Sequence, residues 1–238
     1  MNTSKSPGRN DRPKEIVTGS FFIAATVTAI TGLLLYGPLL NNTGDLDSIS
    51  RHSNQIALGA VFELLLAISN IGTGIMLYPK LKKYSESWGL GYVCFRLMEV
   101  VFIVIGIISL LSLLKINNGF LLQGRRDIDT FMNIANTLKS IHGWAFTLGP
   151  HFMLGINTFI YSFIFFKSNL IPRKISFLGL LGSVLIAFAA LLEIFDINSP
   201  FSQQTMLLAI PVATYEMILA FWLIFKGFNA KTNESGDL

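Results

Sequence analysis

Six long apolar runs constrain the fold of this chain more than any other feature of its sequence. One of them, Gly89–Leu114, holds about 25 residues, which is enough for a helix to cross the roughly 30 Å hydrocarbon core of a bilayer. Only 13% of the 238 residues are charged, whereas soluble domains average about 25%. The mean hydropathy of +0.57 agrees with this. We therefore expect an all-α, polytopic membrane protein built as a bundle of six transmembrane helices.

Short polar connections separate the six predicted spans. The spans are expected at residues 16–40, 55–78, 89–114, 144–166, 175–195 and 205–225. Residues 16–228 then form one transmembrane bundle, and the polar segments 1–15 and 229–238 are expected to be tails. The first span is longer than the apolar part of a signal peptide, and no small-residue cleavage site follows it, so we expect it to be retained.

The connection after the third span contains an amphipathic segment. Apolar residues recur there at three- and four-residue spacing, with Asp129, Asn133 and Lys139 between them. The pattern predicts one amphipathic helix over residues 128–142, before the fourth span. Periodicity leaves two placements open, because the helix could lie along the membrane surface or continue directly into that span.

Basic residues in the connections predict the orientation of the bundle. Six spans place both termini on one side, and twelve lysines and arginines fall on that side against five on the other. The positive-inside rule then predicts a protein of the cell membrane with both termini in the cytoplasm. Lys167, Arg173 and Lys174 lie in one cytoplasmic connection and are expected to contact lipid head groups.

The expected partners follow from the same composition. They are the lipid bilayer and a small-molecule or ion ligand; nucleic acid is not expected, because the basic residues are dispersed among short connections. No cofactor is expected, and the sequence does not indicate an oligomeric state. The lone Cys94 excludes an internal disulfide and is expected to be a small buried side chain.

Polar side chains inside the spans are costly and therefore mark functional or structural sites. Arg96 and Glu99 are three residues apart and share one helix face. With a rise of about 1.5 Å per residue, Glu99 and Glu216 both lie near mid-membrane, and Asn70 lies on the same stripe as Glu63. The candidates for one shared ligand or proton site are Glu63, Arg96, Glu99, His151, Asn157 and Glu216.

Three interpretations of these residues stay open. In the first, they bind or transport a small solute, ion or proton. In the second, Arg96 forms a buried ion pair that fixes the helix register of a structural or sensory protein, with a remaining carboxylate protonated. In the third, the chain is a membrane-embedded lipid hydrolase, with or without a metal.

The hydrolase is the least supported of the three. His142 and His151 are nine residues apart, so they fall on opposite faces of a straight helix, and His52 lies in a connection. No HExxH motif, nucleophile elbow, phosphate loop or dinucleotide fingerprint occurs. We therefore assign no metal ligand and no catalytic residue, and we favour a protein that is not an enzyme.

Three segments of the chain carry a family resemblance: GYVCFRLMEVV, FIFFKSNLIPRKISFLGLLGS and PVATYEMILAFWLIFKGFN. They resemble an uncharacterised, mostly bacterial family of integral membrane proteins, domain of unknown function 4386. The family's aromatic-Arg-x-x-Glu pattern falls here on Phe95, Arg96 and Glu99. Its K-S-x-x-I-P-R-x-[IL]-S-x-x-G connection falls on residues 167–179, and its E-x-x-L-A-x-W-L-I-x-K-G-F helix falls on residues 216–228. The resemblance implies a multi-pass helical protein and no particular reaction.

Overall fold

A computed structural model of the protein describes residues 12–41, 51–122 and 128–229, and every regular element in these ranges is helical. The elements are α1 (Arg12–Asn41), α2 (Ser53–Leu81), α3 (Glu86–Leu122), α4 (Ile128–Phe146), a π-helical segment (Thr147–Met153), α5 (Leu154–Ser168), α6 (Arg173–Ile194) and α7 (Gln203–Phe225). They form six helices that are long and apolar enough to cross a membrane. The predicted all-α, six-span architecture is confirmed.

The largest extensions beyond the predicted spans are at the start of α1 and the end of α3. α1 begins at Arg12, so residues 12–15 belong to a helix and not to the expected tail. α3 ends at Leu122, eight residues beyond the expected end at Leu114. The reason is that an apolar run marks only the part of a helix that lies in hydrocarbon, and polar turns continue the helix beyond it. The expected tail residues 1–11 and 230–238 lie outside the described residues.

The amphipathic segment is helical and continues into the fourth span. α4 passes through the π-helical segment into α5, so that Ile128–Ser168 is one helix of 41 residues. Pro150 lies within the π-helical segment. Because proline has no N–H and its ring collides with the preceding turn, a wider local turn accommodates it. Of the two placements left open by periodicity, continuation into the span is the observed one.

The six spans form a closed ring in chain order. α1 packs against α2, α2 against α3, and α3 against the α4–α5 helix. That helix packs against α6, α6 packs against α7, and α7 returns to α1. Within the described residues, no pair of spans across the ring packs comparably. Polar side chains from all six spans can therefore meet in the interior of the ring.

Packed aromatic rings fill this interior at the end where α1 begins. We call them the aromatic cluster, and its buried members are Phe22, Tyr92, Tyr161, Phe165 and Tyr215. Tyr161 lies at the centre, with its ring centroid 5.6 Å from that of Tyr92 and 5.9 Å from that of Tyr215. Such aromatic pairs contribute roughly 0.5–1.5 kcal/mol each beyond the area they bury. The cluster closes the ring interior toward this side.

The first and last spans end on the same side of the bundle. Arg12 of α1 donates a hydrogen bond to the carbonyl oxygen of Leu223 on α7, at 2.9 Å. Just after α7, the backbone N–H of Asn229 donates to the carbonyl oxygen of Leu170, at 2.8 Å. Leu170 belongs to the connection between α5 and α6, so this connection lies on the same side as both ends of the bundle.

Cys94 is exposed on the outside of the bundle, and the expectation that it is buried is wrong. It precedes Arg96 by two residues, which corresponds to a rotation of about 200° around the helix axis. Because Arg96 points into the ring, Cys94 points away from it. Cysteine is small and apolar enough to face lipid as well as a protein core.

Candidate functional site

All six spans contribute to a cavity of about 180 Å³ inside the ring, which we call the central chamber. Its polar lining consists of Thr26, Asn70, Arg96, Glu99, His151 and Glu216. Apolar side chains such as Phe146, Ile186 and Val212 complete the wall. The chamber borders the aromatic cluster, because Tyr92 lies about one helical turn from Arg96 and Tyr215 precedes Glu216.

Both carboxylate oxygens of Glu99 accept hydrogen bonds from neighbouring side chains. Its carboxylate accepts hydrogen bonds from Asn70 Nδ2 at 2.9 Å, from Arg96 Nη1 at 3.0 Å and from Asn157 Nδ2 at 2.6 Å. Arg96 also donates to the Asn70 side-chain oxygen at 3.3 Å. We call these four residues the Glu99 network. Because every member is buried and hydrogen-bonded, the network fixes α2, α3 and α5 relative to one another.

Glu216 of α7 faces the same guanidinium, but its carboxylate makes only one longer contact with it. Its Oε1 lies 3.9 Å from Arg96 Nη2, which is beyond hydrogen-bond distance, and its side chain is 12% exposed. Among the described residues, none donates a hydrogen bond to Glu216, and Arg96 Nε and Nη2 have no hydrogen-bond partner. Unsatisfied polar atoms of the central chamber therefore face each other across the gap between Arg96 and Glu216.

The π-helical segment carries His151 to the chamber wall. Gly149 allows the segment to approach α3 closely, since a Cβ there would lie 2.8 Å from Phe102 Cβ and 3.1 Å from the Glu99 carbonyl oxygen. His151 Nδ1 lies 2.8 Å from Glu193 Oε1 on α6. An ionised carboxylate only accepts hydrogen bonds, so when Glu193 is ionised the hydrogen of this contact lies on His151 Nδ1.

Glu63 lies outside the central chamber. It lines a neighbouring cavity of about 130 Å³ together with Tyr36 and His142, and we call this cavity the Glu63 chamber. It is located on the far side of the central chamber from the aromatic cluster, because Glu63 precedes Asn70 by two turns of α2. The two chambers share wall residues, namely Ala29, Ile30, Leu66, Phe146 and Pro150.

The candidate residues thus fall into two groups. Arg96, Glu99, His151 and Glu216 line the central chamber, and Asn157 reaches it through its hydrogen bond to Glu99. Glu63 was expected in the same site, but the structure places it in the adjacent cavity. The cause is depth: seven residues of helix separate Glu63 from Asn70 by about 10 Å along the axis, although both share one stripe.

Lys167, Arg173 and Lys174 are exposed at the connection between α5 and α6. Lys167 Nζ lies 5.7 Å from the centre of the Phe163 ring, and Arg173 Cζ lies 5.8 Å from that of Phe166. Cation–π contacts of this kind hold a basic group beside an apolar surface. The residues are therefore positioned at the edge of the bundle and away from both chambers.

Two residues that the sequence did not assign to the site belong to its geometry. Asn70 donates to Glu99, and its signal in the sequence is an amide in the middle of an apolar span. The Glu193 carboxylate contacts His151 Nδ1, and its signal in the sequence is a charged residue near the end of the predicted fifth span. Among residues 12–41, 51–122 and 128–229, no group of three or more histidine, cysteine, aspartate and glutamate side chains could hold a metal ion.

Comparison with known proteins gives one family and no individual relative. No curated protein and no solved structure matches the chain. A family model described as a domain of unknown function, DUF4386, matches residues 17–227. The match covers most of α1, all of the other spans and all the residues of both chambers. The chain therefore belongs to the DUF4386 family of unknown function.

Proposed function

We propose that this protein binds or moves a small solute, ion or proton at the central chamber. In this proposal Glu216 is the group that binds the ligand and releases it. The observation that carries the proposal is the contrast between two carboxylates that face one guanidinium. Glu99 accepts three hydrogen bonds, whereas Glu216 accepts none from the described residues. A carboxylate without fixed partners beside a cavity is available to a ligand.

The charge balance of the chamber favours a proton or a cationic group as that ligand. Arg96 supplies one positive charge, and Glu99 and Glu216 supply two negative charges when both are ionised. The excess negative charge is costly at low dielectric and is neutralised when Glu216 takes up a proton or contacts a cation. In this proposal the Glu99 network is the rigid frame of the site, and His151 is a second group able to accept a proton.

Replacing Glu216 by glutamine tests the proposal directly. We expect Glu216→Gln to fold with a melting temperature close to that of the unchanged protein, because Glu216 accepts no hydrogen bond that the change would break. In proteoliposomes that contain a trapped pH-sensitive dye, the unchanged protein should relax an imposed pH gradient faster than empty vesicles. The variant should lose at least about 90% of that excess rate, as expected for loss of an essential proton-transfer group.

Glu86→Gln is the matched control, because Glu86 is an exposed carboxylate at the start of α3 and lies in neither chamber. It should retain the full rate. If neither the pH gradient nor a gradient of small amine, amino-acid or alkali cations is relaxed by the unchanged protein, the transport proposal is wrong. An unaltered rate in Glu216→Gln would exclude Glu216 as the group that binds the ligand and releases it.

We propose further that the protein lies in the cell membrane with the start of α1 and the end of α7 facing the cytoplasm, where Lys167, Arg173 and Lys174 contact anionic lipid head groups. The excess of basic residues on this side supports the orientation. In a Cys94→Ser background, an impermeant maleimide added to intact cells should label Ser199→Cys, in the connection between α6 and α7. It should label Lys83→Cys only after lysis, and the reverse pattern would invert the topology.

The other two hypotheses make different predictions for the same purified protein. A metal-dependent hydrolase requires near-stoichiometric bound metal, which elemental analysis would detect. It also requires hydrolysis of a lipid ester that His151→Ala abolishes. If the protein is structural or sensory, it should relax neither the pH gradient nor the cation gradients in proteoliposomes, and Arg96 variants should lose stability.

A further inference from the structure

We infer that the Glu63 chamber is a second binding site, and that its ligand is a small primary amine in the protonated form. The inference is independent of the central chamber, because it rests on Tyr36, Glu63 and His142, none of which lines that chamber. Two buried polar atoms of the Glu63 chamber have no partner among the described residues. They are Glu63 Oε2 and His142 Nε2, on side chains that are 6% and 1% exposed.

When Glu63 is ionised and His142 is neutral, both of these atoms are hydrogen-bond acceptors. The Tyr36 hydroxyl donates to Glu63 Oε1, which leaves Oε2 as the open oxygen of the carboxylate. His142 Nδ1 lies 3.2 Å from the carbonyl oxygen of Gly106, which can only accept, so Nδ1 carries the hydrogen. Nε2 is then the unprotonated ring nitrogen and accepts. A ligand that satisfies both atoms must donate at least two hydrogen bonds.

The walls of the chamber specify the rest of the ligand. No lysine or arginine lines it, and neutral His142 carries no charge, so an ionised Glu63 carboxylate has no positive charge beside it there and favours a cationic ligand. The remaining lining is apolar and aromatic and includes Leu33, Phe102 and Phe146. An ammonium group with a short alkyl chain meets both requirements, and a volume of about 130 Å³ limits the chain to a few carbon atoms.

The packing around the site supports a preformed pocket. The Tyr36 ring meets the His142 ring edge-on, with centroids 5.1 Å apart. Phe201, from the connection between α6 and α7, stacks on the His142 ring with centroids 6.3 Å apart, and its centroid lies 5.0 Å from that of Phe146. Two anchored polar groups and a ring of aromatic neighbours keep the acceptors in place without a ligand, which reduces the entropic cost of binding.

Calorimetric titration of the purified full-length protein in detergent tests the inference with n-butylammonium chloride as the probe. Two comparators separate the contributions of the N–H donors and of the positive charge. Tetramethylammonium chloride has the charge without N–H donors, and n-butanol has the alkyl chain without the charge. Butylammonium should bind at one site per chain, and both comparators should bind at least about tenfold more weakly, which is the effect of losing one charge-assisted hydrogen bond.

Substitutions then locate the site. Glu63→Gln keeps the shape of the side chain and should weaken butylammonium binding at least about tenfold, whereas the exposed control Glu86→Gln should leave it unchanged. His142→Phe keeps the ring contacts with Tyr36 and Phe201 and should also weaken binding, so it decides the question if Glu63→Gln does not fold. The absence of butylammonium binding, equal binding of n-butanol, or full affinity in the folded variants would each overturn the inference.

Discussion

Replacing Arg96 by methionine should lower the free energy of unfolding by about 3 to 5 kcal/mol, the cost of breaking a buried ion pair by removing one partner. The guanidinium is 2% exposed and lies 3.0 Å from Glu99 and 3.9 Å from Glu216. Methionine retains the length of the apolar stem, so the loss reports the missing charge and hydrogen bonds. Denaturant titration in detergent, followed by circular dichroism, measures it.

A double-mutant cycle with Glu99→Gln separates the pair from its surroundings. Arg96→Met leaves the buried Glu99 carboxylate without its cation, and Glu99→Gln leaves Arg96 with only Glu216 at 3.9 Å. The double change removes both charges of the pair and keeps two amide donors facing residue 99. The double variant should therefore lose at least about 1 kcal/mol less than the sum of the two single losses. Additive losses would show that Arg96 and Glu99 do not act as a pair.

The fold could be predicted from the sequence because hydrocarbon imposes one requirement on every span. Each apolar run of about 20 residues must be helical so that its backbone is hydrogen-bonded, and this fixes the number and order of the spans. The ends of the helices could not be predicted in this way. Phe120, for example, lies beyond the apolar run of α3, and its ring stacks on that of Phe131 in α4, with centroids 4.3 Å apart, because α3 continues past its apolar run.

The candidate site could be predicted only in part, because periodicity fixes which residues share a helix face but not how neighbouring helices are rotated. The pairing of Arg96 with Glu99 follows from their spacing and is present at 3.0 Å. The pairing of His151 with Glu193 depends on the π-helical segment, which changes the rotation of every residue after it. The spacing of the apolar residues gives no signal for such a change in the hydrogen-bonding pattern of a helix.

The close approach of α6 and α7 leads to the second large effect that we expect. A Cβ at Gly182 would lie 2.7 Å from the backbone nitrogen of Val212 and 2.9 Å from its Cα. These are backbone atoms, so no rotamer change relieves the clash, and the two helices must move apart. We expect Gly182→Ala to lower the free energy of unfolding by about 1 to 3 kcal/mol, as overpacking of a well-packed interior does. Thermal unfolding in detergent measures the loss.

Gly143→Ala is the matched control, because Gly143 is also helical but a Cβ there meets nothing within 4 Å. Alanine favours a helix over glycine by up to about 1 kcal/mol, so this variant should be as stable as the unchanged protein or more stable. If Gly182→Ala lowers the free energy of unfolding and Gly143→Ala raises it, the contact between α6 and α7, and not helix propensity, decides the effect at Gly182.

Because Val212 also lines the central chamber, the shift of α7 in Gly182→Ala should alter the distance between Glu216 and Arg96 and reduce proton flux as well. A destabilised variant with unchanged flux would separate the packing of α6 and α7 from the site.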